Sequence, residues 1–219
     1  MNRFFLEPNA WGQTPIQLNP RESHHCSKVL RHRVGEQVEV FDGQGKYTIA
    51  HLQHIKKKTV ELTLESPKTS PRIPAEITLA QAIPKGKNMD LIIQKSVELG
   101  AAYIQPLLSE HTVIQLDSQE IKKKLEKWSD ILLDACKQSG QNWLPRLLPI
   151  LHLSDYLKNI KSDSAALFMG SLGSNAIPFK SALLPKITNH PDDKFFKATL
   201  LVGPEGDFSP NERQAAAQA

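Results

Sequence analysis

The sequence predicts an α/β protein in two parts: a small β-rich domain, then a larger domain built on a mostly parallel sheet. Three observations predict this division. Short strand patterns with turn signals fill residues 1–66, a proline-rich segment follows at 66–74, and strand and helix patterns alternate from there to residue 219. Alternation of that kind is typical of parallel strands that are joined by helices.

Composition limits the kinds of protein that this chain can be. The 219 residues suffice for one large domain or two small ones, with 40% hydrophobic and 23% charged residues. Lys and Arg number 27 against 23 acidic residues, a net charge of +4 that suits a polyanionic partner without requiring one. Cys26 and Cys136 form no CxxC pair, which disfavours a zinc or redox motif. Reduced thiols and the lack of a signal-peptide or membrane-span pattern predict a cytoplasmic protein.

The first part of the chain carries strand patterns and one helix pattern. Apolar and polar residues alternate over 60–64, the period expected of a half-buried strand. Two further strands are predicted at 38–40 and 47–50, with a glycine-containing turn between them. A single helix is predicted at 26–32, ending near Gly35. Several short strands with one helix indicate a small barrel.

Residues 66–74 are the predicted linker. They hold three prolines and two serines in nine residues, a composition that disfavours both a helix and a central strand. We therefore expect domains at 1–70 and 71–219.

The second part alternates strand and helix patterns. Its predicted strands are at 77–83, 102–108, 165–169 and 198–202. A helix is predicted at 88–99, with Asn88 as its cap and Gly100 as its stop. A longer helix is predicted at 117–139, with Asp117 and Glu120 as a capping box and Gly140 as its stop. A third helix is predicted after Ser154.

The most informative segment joins the last strand to a final helix. The apolar strand ends in Gly-Pro-Glu-Gly at 203–206, and Ser209, Pro210 and Glu212 then give the N-cap, first position and capping box of a helix. Open α/β sheets bind ligands just past the carboxyl ends of their strands, and glycine lets a backbone approach a ligand closely. Glu205 places a carboxylate there. A plain strand–turn–helix connection explains the spacing equally well, and the loop is neither a P-loop nor a GxGxxG fingerprint.

Two other loops lie where ligands could bind. Residues 170–174, a Gly-Ser-Leu-Gly-Ser loop, follow the strand that ends at Met169, although a simple turn also explains them. Lys85 and Lys87 stand where the chain enters a helix N-terminus, a position that favours phosphate.

Basic residues in the first domain are candidates for RNA binding. Lys28, Arg31 and Arg33 share one short element, which favours contact with nucleic acid over a merely solvated surface. Arg3, His32 and the run Lys56, Lys57 and Lys58 add to the charge of this domain. The eight histidines form no HxxxH or HExxH array, so no metal is expected. No GxSxG motif is present, which disfavours hydrolase chemistry.

Motifs in this order and spacing resemble the bacterial ribosomal RNA small subunit methyltransferase E family, of the SPOUT class of knotted methyltransferases. The resemblance runs through nearly the whole chain. It rests on Arg-Phe-Phe at 3–5, Val-Leu-Arg at 29–31, Phe-Asp-Gly at 41–43, residues 87–90 and 94–100, Ser-Glu at 109–110 and Leu-Val-Gly-Pro-Glu-Gly at 201–206.

The resemblance implies a fold, a reaction and a partner. It implies a PUA-like RNA-binding β-barrel, a SPOUT domain with a trefoil knot, and a homodimer. It implies S-adenosylmethionine (SAM) as methyl donor and N3 of a uridine in 16S ribosomal RNA as acceptor. Arg3 is the expected catalytic cation, held over the pocket by the first domain, since charge that develops on the uracil oxygens needs a cation nearby. The expected cofactor-binding residues are Met169, Gly170, Leu201, Val202, Gly203, Pro204, Glu205 and Gly206, and the expected RNA-binding residues are Lys28, Arg31, Arg33, Lys85 and Lys87.

The sequence departs from the family pattern at several places. Asp207 replaces a second glycine, His111 stands where the family often has Arg, and 137–141 lack the family's Glu-Gln-x-x-Arg. Residues 169–174 match poorly. The family continues past Ala219 with a Leu-Gly-x-Arg-Ile-Leu-Arg-x-Glu-Thr-Ala segment that threads the knot and completes the cofactor pocket, so we expect a chain truncated at its C-terminal end that binds cofactor poorly or not at all.

Three alternatives remain open from the sequence. One is a non-catalytic RNA-binding or ribosome-assembly protein on the same scaffold, favoured by Asp207 and by the expected truncation. Another is a related enzyme that modifies a different nucleotide or atom. The third is an enzyme of nucleotide or phosphate metabolites that uses the Gly203 loop and is indifferent to RNA.

Overall fold

A computed structural model of the chain describes residues 1–56, 59–112, 117–160, 166–171, 173–174, 176–188 and 196–219. Lys57, Lys58, Ala165 and Leu172, which belong to segments singled out in the sequence, lie outside the described residues. The chain divides into two compact units. Unit 1 comprises Met1–Arg72 and Leu133–Leu144, and unit 2 comprises Ile73–Leu132 and Pro145–Ala219.

A six-stranded sheet forms the centre of unit 1. Its strands are β1 (Arg3–Phe5), β2 (Ile16–Gln17), β3 (Gln37–Phe41), β4 (Lys46–Ile55), β5 (Val60–Leu64) and β6 (Lys68–Thr69). The order is β1-β3-β4-β5-β2, with β6 also on β4, and only the β1–β3 pairing is parallel. The three predicted strands of this domain are confirmed. The residues of the linker are not free of strand structure, because Lys68 and Thr69 pair with β4.

The helix of unit 1 begins six residues earlier than predicted. α1 spans Pro20–His24, and one wider π turn continues it over His25–Val29. The physical reason is a capping signal that periodicity alone misses: the Asn19 side chain accepts from the Glu22 N–H at 2.9 Å, and Pro20 follows at the first position. Cys26 faces the core with Phe4 and Val40 and is fully buried.

Residues Leu133–Leu144 group with unit 1, although they lie within the second predicted domain. A buried ion pair explains part of this. The Glu22 carboxylate is fully buried, accepts from the Phe5 N–H at 3.1 Å and lies 2.9 Å from the Lys137 ammonium. Lys137 is itself 9% exposed and also contacts Asp134. Since a buried charge needs a partner, this segment is bound to the first sheet by electrostatics that no local sequence pattern reveals.

Unit 2 contains a parallel sheet. Its strands are β7 (Ala75–Ala82), β8 (Tyr103–Leu108), β9 (Arg146–Leu147), β10 (Leu151–His152), β11 (Ala166–Met169) and β12 (Phe196–Val202). The order is β10-β8-β7-β12-β11, with β9 on β8, and every pairing is parallel. The predicted mostly parallel sheet is confirmed. Since its strands all run in one direction, their carboxyl ends lie at one edge.

The remaining helices follow the strands. They are α2 (Asn88–Glu98), α3 (Ser118–Ser139), α4 (Leu153–Ile160), α5 (Phe179–Thr188) and α6 (Pro210–Ala217). The capping box of α3 is confirmed, because the Asp117 carboxylate accepts from the Glu120 N–H at 2.8 Å and the reverse bond is 3.1 Å. Helix α5 was not predicted, since Pro185 inside it conceals its pattern. Within the described residues, no helix combines the length and apolar character needed to span a membrane.

We predict that Lys137→Met strongly destabilises the protein. Removing the ammonium leaves the buried Glu22 carboxylate uncompensated, so the free energy of unfolding measured in urea should fall by about 3–5 kcal/mol. Glu22→Gln combined with Lys137→Met should recover part of the loss. The control is Lys158→Met, whose exposed ammonium pairs with Asp155 and whose loss should cost no more than about 0.5 kcal/mol. Equal effects of the two single substitutions would contradict the role given to the buried pair.

Candidate cofactor and RNA sites

The carboxyl ends of β11 and β12 lie side by side. Met169 stands opposite Leu201 in the parallel register, and the Gly170 N–H donates to the Leu201 carbonyl at 2.9 Å. Leu201 is fully buried, whereas Gly170 is exposed. The structure therefore brings together two loops that are far apart in sequence, the one after Met169 and the one after Val202.

Residues 203–206 form a tight turn between β12 and α6. The Asp207 N–H donates to the Pro204 carbonyl at 2.9 Å. A Cβ at Gly203 would lie 3.2 Å from an Asp207 carboxylate oxygen and 3.3 Å from the Phe208 nitrogen, closer than most real contacts. A side chain at position 203 would therefore force its neighbours to shift by a few tenths of an ångström, whereas a Cβ at Gly206 or Gly170 would meet neighbours only at ordinary distances of 3.7 and 3.8 Å.

The Glu205 carboxylate is bonded to the loop that precedes α2. Its oxygens accept from the Lys85 N–H at 3.1 and 3.2 Å and from the Asn88 amide at 3.4 Å. Its own backbone N–H, followed by that of Lys85, holds the pKa of the Glu205 carboxyl below its ordinary value. The prediction that Asn88 caps α2 was wrong. Asn88 is the first residue of the helix, and Lys87 occupies the cap position without a side-chain hydrogen bond.

His111 and Gln81 also hold this loop. One ring nitrogen of His111 lies 2.9 Å from the Asp207 carbonyl and 3.2 Å from the Gly206 carbonyl. The buried Gln81 amide donates to the Gly203 carbonyl at 3.2 Å. Gln81 was missed in the sequence, where a polar residue at the end of an apolar strand was its only signal.

Asp207 adopts a backbone conformation that favours glycine. Its φ is +59°, in the left-handed region. Its side chain compensates locally, because the carboxylate accepts from the Phe208 N–H at 2.7 Å and pairs with Arg213 at 3.1 Å. The cost of this backbone conformation is therefore offset by contacts within the loop and α6.

The predicted RNA-binding cations lie at exposed positions of their own units. In unit 1, Lys28, Arg31 and Arg33 are exposed on the π turn and the segment after it, and Arg31 has a φ of +54°. In unit 2, Lys85 and Lys87 are exposed where the chain enters α2.

Apolar side chains accompany the cations of unit 1. Val29 and Val34 are 58% and 60% exposed, next to Lys28, Arg31 and Arg33. A cleft of about 500 Å³, lined among others by Asn2, His25 and Leu30, opens beside this segment. Mixed cationic and apolar surface is compatible with nucleic acid whose bases are unstacked.

Arg3 makes a dense set of contacts inside unit 1. Its guanidinium pairs with Glu39 at 2.5 Å, donates to the Cys136 carbonyl at 2.7 Å and to the Asn142 side chain, and lies over the Phe41 ring. Its side chain is only 9% exposed. These contacts fasten Leu133–Leu144 to β1 and β3, and the catalytic role expected of Arg3 remains a prediction.

The two cysteines are buried free thiols of unit 1. Burial raises the pKa of the Cys26 thiol to about 11 and that of Cys136 to about 12, so both stay protonated at neutral pH. Across the part of the chain that the structure describes, no three His, Cys, Asp or Glu side chains cluster in a way that could hold a metal ion.

Comparison with known proteins places the chain in a family. Residues 71–219 match the family model of the RNA methyltransferase domain, and residues 18–65 match that of the RNA methyltransferase PUA domain. The chain belongs to the RNA methyltransferase family. Its α/β architecture with an N-terminal PUA domain is thereby confirmed.

Individual members of this family resemble the chain over most of its length. Ribosomal RNA small subunit methyltransferase E from Synechocystis is 30% identical over 210 residues, which cover 96% of this chain and 66% of that protein. The protein of the same name from Bacillus subtilis is 27% identical, covering 97% and 83%. A crystal structure of ribosomal RNA small subunit methyltransferase E from Neisseria gonorrhoeae, bound to S-adenosyl methionine, superposes with a TM-score of 0.82 at 33% identity, covering 100% and 86%. The resemblance seen in the sequence is confirmed.

We predict that glycine is better tolerated than alanine at position 207. Both substitutions remove the carboxylate, but only Asp207→Ala keeps a Cβ at a φ of +59°, so Asp207→Gly should be the more stable variant by about 1 kcal/mol in urea unfolding. At Asp155, in the first turn of α4, the order should reverse by a similar amount, because glycine is unfavourable in a helix. Equal stability of the two variants at 207 would show that the backbone there is unstrained.

Proposed function

We propose that this chain is a SAM-dependent ribosomal RNA methyltransferase that methylates N3 of a uridine in 16S ribosomal RNA. The observation that carries the proposal is the adjacent pair of glycine-bearing strand ends, Gly170 after β11 and Gly203 after β12, in a domain of the RNA methyltransferase family. Open parallel sheets bind their ligands at this edge.

The residues at this edge fit SAM. Gly170 has no side chain, and a Cβ built on it would meet only the Leu201 carbonyl oxygen, at 3.8 Å, so there is room for a flat ring to approach the backbone there. Met169 offers partly exposed apolar surface beside the buried Leu201, and the turn at 203–206 offers backbone polar groups. We propose that Met169, Gly170, Leu201, Val202, Gly203, Pro204 and Gly206 hold the cofactor. Glu205 belongs to the same proposed set, and its carboxylate also fixes the loop against Lys85 and Asn88.

The main task of the protein in this reaction is to align the two reactants. Bound SAM supplies a methyl group that is already electrophilic. The protein must hold the uracil N3 in line with it, exclude water, and stabilise the charge that appears on O2 and O4 when the N3 proton leaves. A weakly acidic N–H in the middle of a base pair is inaccessible, so the target base must be single-stranded or splayed out of its stack.

Cations in both units would bind the RNA backbone. We propose phosphate contacts for Lys85 and Lys87, which are exposed where the chain enters the N-terminus of α2. Lys28, Arg31 and Arg33 would bind RNA from the PUA domain. Residues 1–70 thus serve recognition and 71–219 catalysis in this proposal, which also includes the family's knot, a homodimer and a cytoplasmic location.

Calorimetric titration of SAM tests the proposal. It is made with this chain and, in parallel, with a form extended beyond Ala219 by the C-terminal segment that the resemblance implies. We expect the extended form to bind SAM and to produce 3-methyluridine in 16S ribosomal RNA, detected by mass spectrometry of nuclease digests. Gly170→Val should abolish SAM binding while the protein stays folded, since its Cβ has room.

The matched control for that titration is Gly12→Val in unit 1, where a Cβ would meet no atom within 4 Å. It should bind SAM as the unchanged protein does. Absence of SAM binding in both forms would refute the methyltransferase proposal and favour a non-catalytic RNA-binding or ribosome-assembly protein. Methylation of another nucleotide would keep the enzyme class and overturn the assignment to uridine N3.

Arg3→Lys separates the two roles that Arg3 can have. Lysine keeps the charge but cannot reproduce the contacts of the guanidinium with Glu39, the Cys136 carbonyl and Asn142. Because of those contacts we expect the free energy of unfolding to fall by about 2 kcal/mol. A fall in kcat of about 100-fold at unchanged stability would instead support Arg3 as the catalytic cation. Arg21→Lys, at an exposed ion pair with Asp134 in the same unit, is the control and should change neither quantity.

A further inference from the structure

Gln81 is a buried polar residue that the proposed mechanism has not used. It is the penultimate residue of β7, stands opposite Val202 in the parallel register with β12, and is 4% exposed. A buried primary amide is costly unless it is hydrogen-bonded, so the position of its partners indicates what it does.

The partners of the Gln81 amide are backbone carbonyls. Its nitrogen donates to the Ala82 carbonyl at 2.8 Å and to the Gly203 carbonyl at 3.2 Å, with the Val202 carbonyl at 3.5 Å. An amide group has two N–H donors, so the two shorter bonds use both of them. One of these reaches the first residue of the turn at 203–206. The direction of the Gly203 carbonyl, and with it the peptide plane that begins the turn, is therefore set by a side chain on the neighbouring strand.

The same stretch of chain holds the turn at a second point. The Lys85 N–H and the Asn88 amide bind the Glu205 carboxylate. The segment from Gln81 to Asn88 thus contacts the turn at its first and third residues. Two fixed points on a four-residue turn restrict its conformation before any ligand arrives, which is the condition for low-cost binding.

Gln105 provides an internal comparison. It lies on β8, is 2% exposed, and donates to the carbonyl of the next residue, Pro106, at 2.9 Å and to the Pro149 carbonyl at 2.6 Å. The arrangement copies that of Gln81, but the second acceptor belongs to the connection between β9 and β10. The two glutamines have the same chemistry and burial, and only one of them reaches the turn after β12.

We propose that Gln81 is a positioning residue for the cofactor: its amide orients the Gly203 carbonyl and so preorganises the turn at 203–206 for SAM. This inference rests on the proposed function for the identity of the ligand. It assigns Gln81 no contact with SAM and no part in the methyl transfer itself.

The test compares Gln81→Met with Gln105→Met, each nearly isosteric and each removing two hydrogen bonds. Amide hydrogen exchange is measured first, without ligand. We expect exchange over residues 200–208 to rise about tenfold in Gln81→Met and to stay unchanged in Gln105→Met, where exchange over 146–152 should rise. If Gln81→Met fails to fold, Gln81→Asn keeps the amide and shortens its reach.

SAM binding is measured next, with the form of the protein that binds it. We expect Gln81→Met to raise the Kd and the KM for SAM about tenfold, with kcat at saturating SAM and the Kd for a 16S ribosomal RNA fragment changed less than twofold. Gln105→Met should leave all four constants within twofold. If Gln81 served stability alone, both substitutions would lower the Tm, and Gln81→Met and Gln105→Met would have the same four constants.

Each outcome decides the inference. If the unchanged protein binds SAM and Gln81→Met binds it equally well, or if exchange over 200–208 is the same in both variants, the inference is overturned and the proposed function stands. If the unchanged protein binds no SAM in either form, the proposed function fails and the inference fails with it.

Discussion

The position of β12 between β7 and β11 is the constraint on which the candidate site depends. Seven residues of β12 pair in register with β7, and four pair with β11. Parallel pairing on both sides buries Leu201, and it places the carboxyl ends of β7, β11 and β12 at the same edge of the sheet. The loops after β7, β11 and β12 therefore lie next to each other at the carboxyl edge of the sheet, because of the strand order and not because of the sequence of any one loop. A shift of a single register position would separate Gln81 from Gly203 and Gly170 from Leu201 at once.

In unit 1, charged contacts add to strand pairing and help to hold Leu133–Leu144 against the first sheet. Arg3 and the buried Glu22 bind the last turns of α3 and the segment behind them to the first sheet, through Cys136, Asn142 and Lys137. Ion pairs of this kind give little net stability but penalise every arrangement that separates the charges. The segment Leu133–Leu144 groups with unit 1 although sequence order places it among the residues of unit 2, and backbone hydrogen bonds of Asn142 and Leu144 with Gly45 and Gly43 act beside these charged contacts.

Local patterns predicted the elements well, and long-range contacts were what they could not predict. Period-two alternation at 60–64 and the capping boxes of Asp117 and Ser209 depend on neighbours within a few residues, and all three are confirmed. The partner of Glu22 is 115 residues away and that of Gln81 is 122 residues away. Nothing within a sequence window marks such pairs. The candidate site shows the same division. The loop at 203–206 was predicted from its glycines and the strand before it, whereas the side chains that hold the loop, which belong to distant parts of the chain, were not.

Asp207 and Glu205 use their side chains to hold the turn after β12 in its conformation. The turn needs a left-handed residue at 207, and glycine satisfies this without help. Aspartate adopts it with support from its carboxylate, which accepts from the Phe208 N–H and pairs with Arg213, both within the same loop and helix. Glu205 likewise directs its carboxylate to Lys85 and Asn88. Both acidic side chains of the turn are thus used to hold the backbone in place. Backbone groups and glycine surface are what remain to face a ligand, which suits recognition of a cofactor by shape and backbone hydrogen bonds.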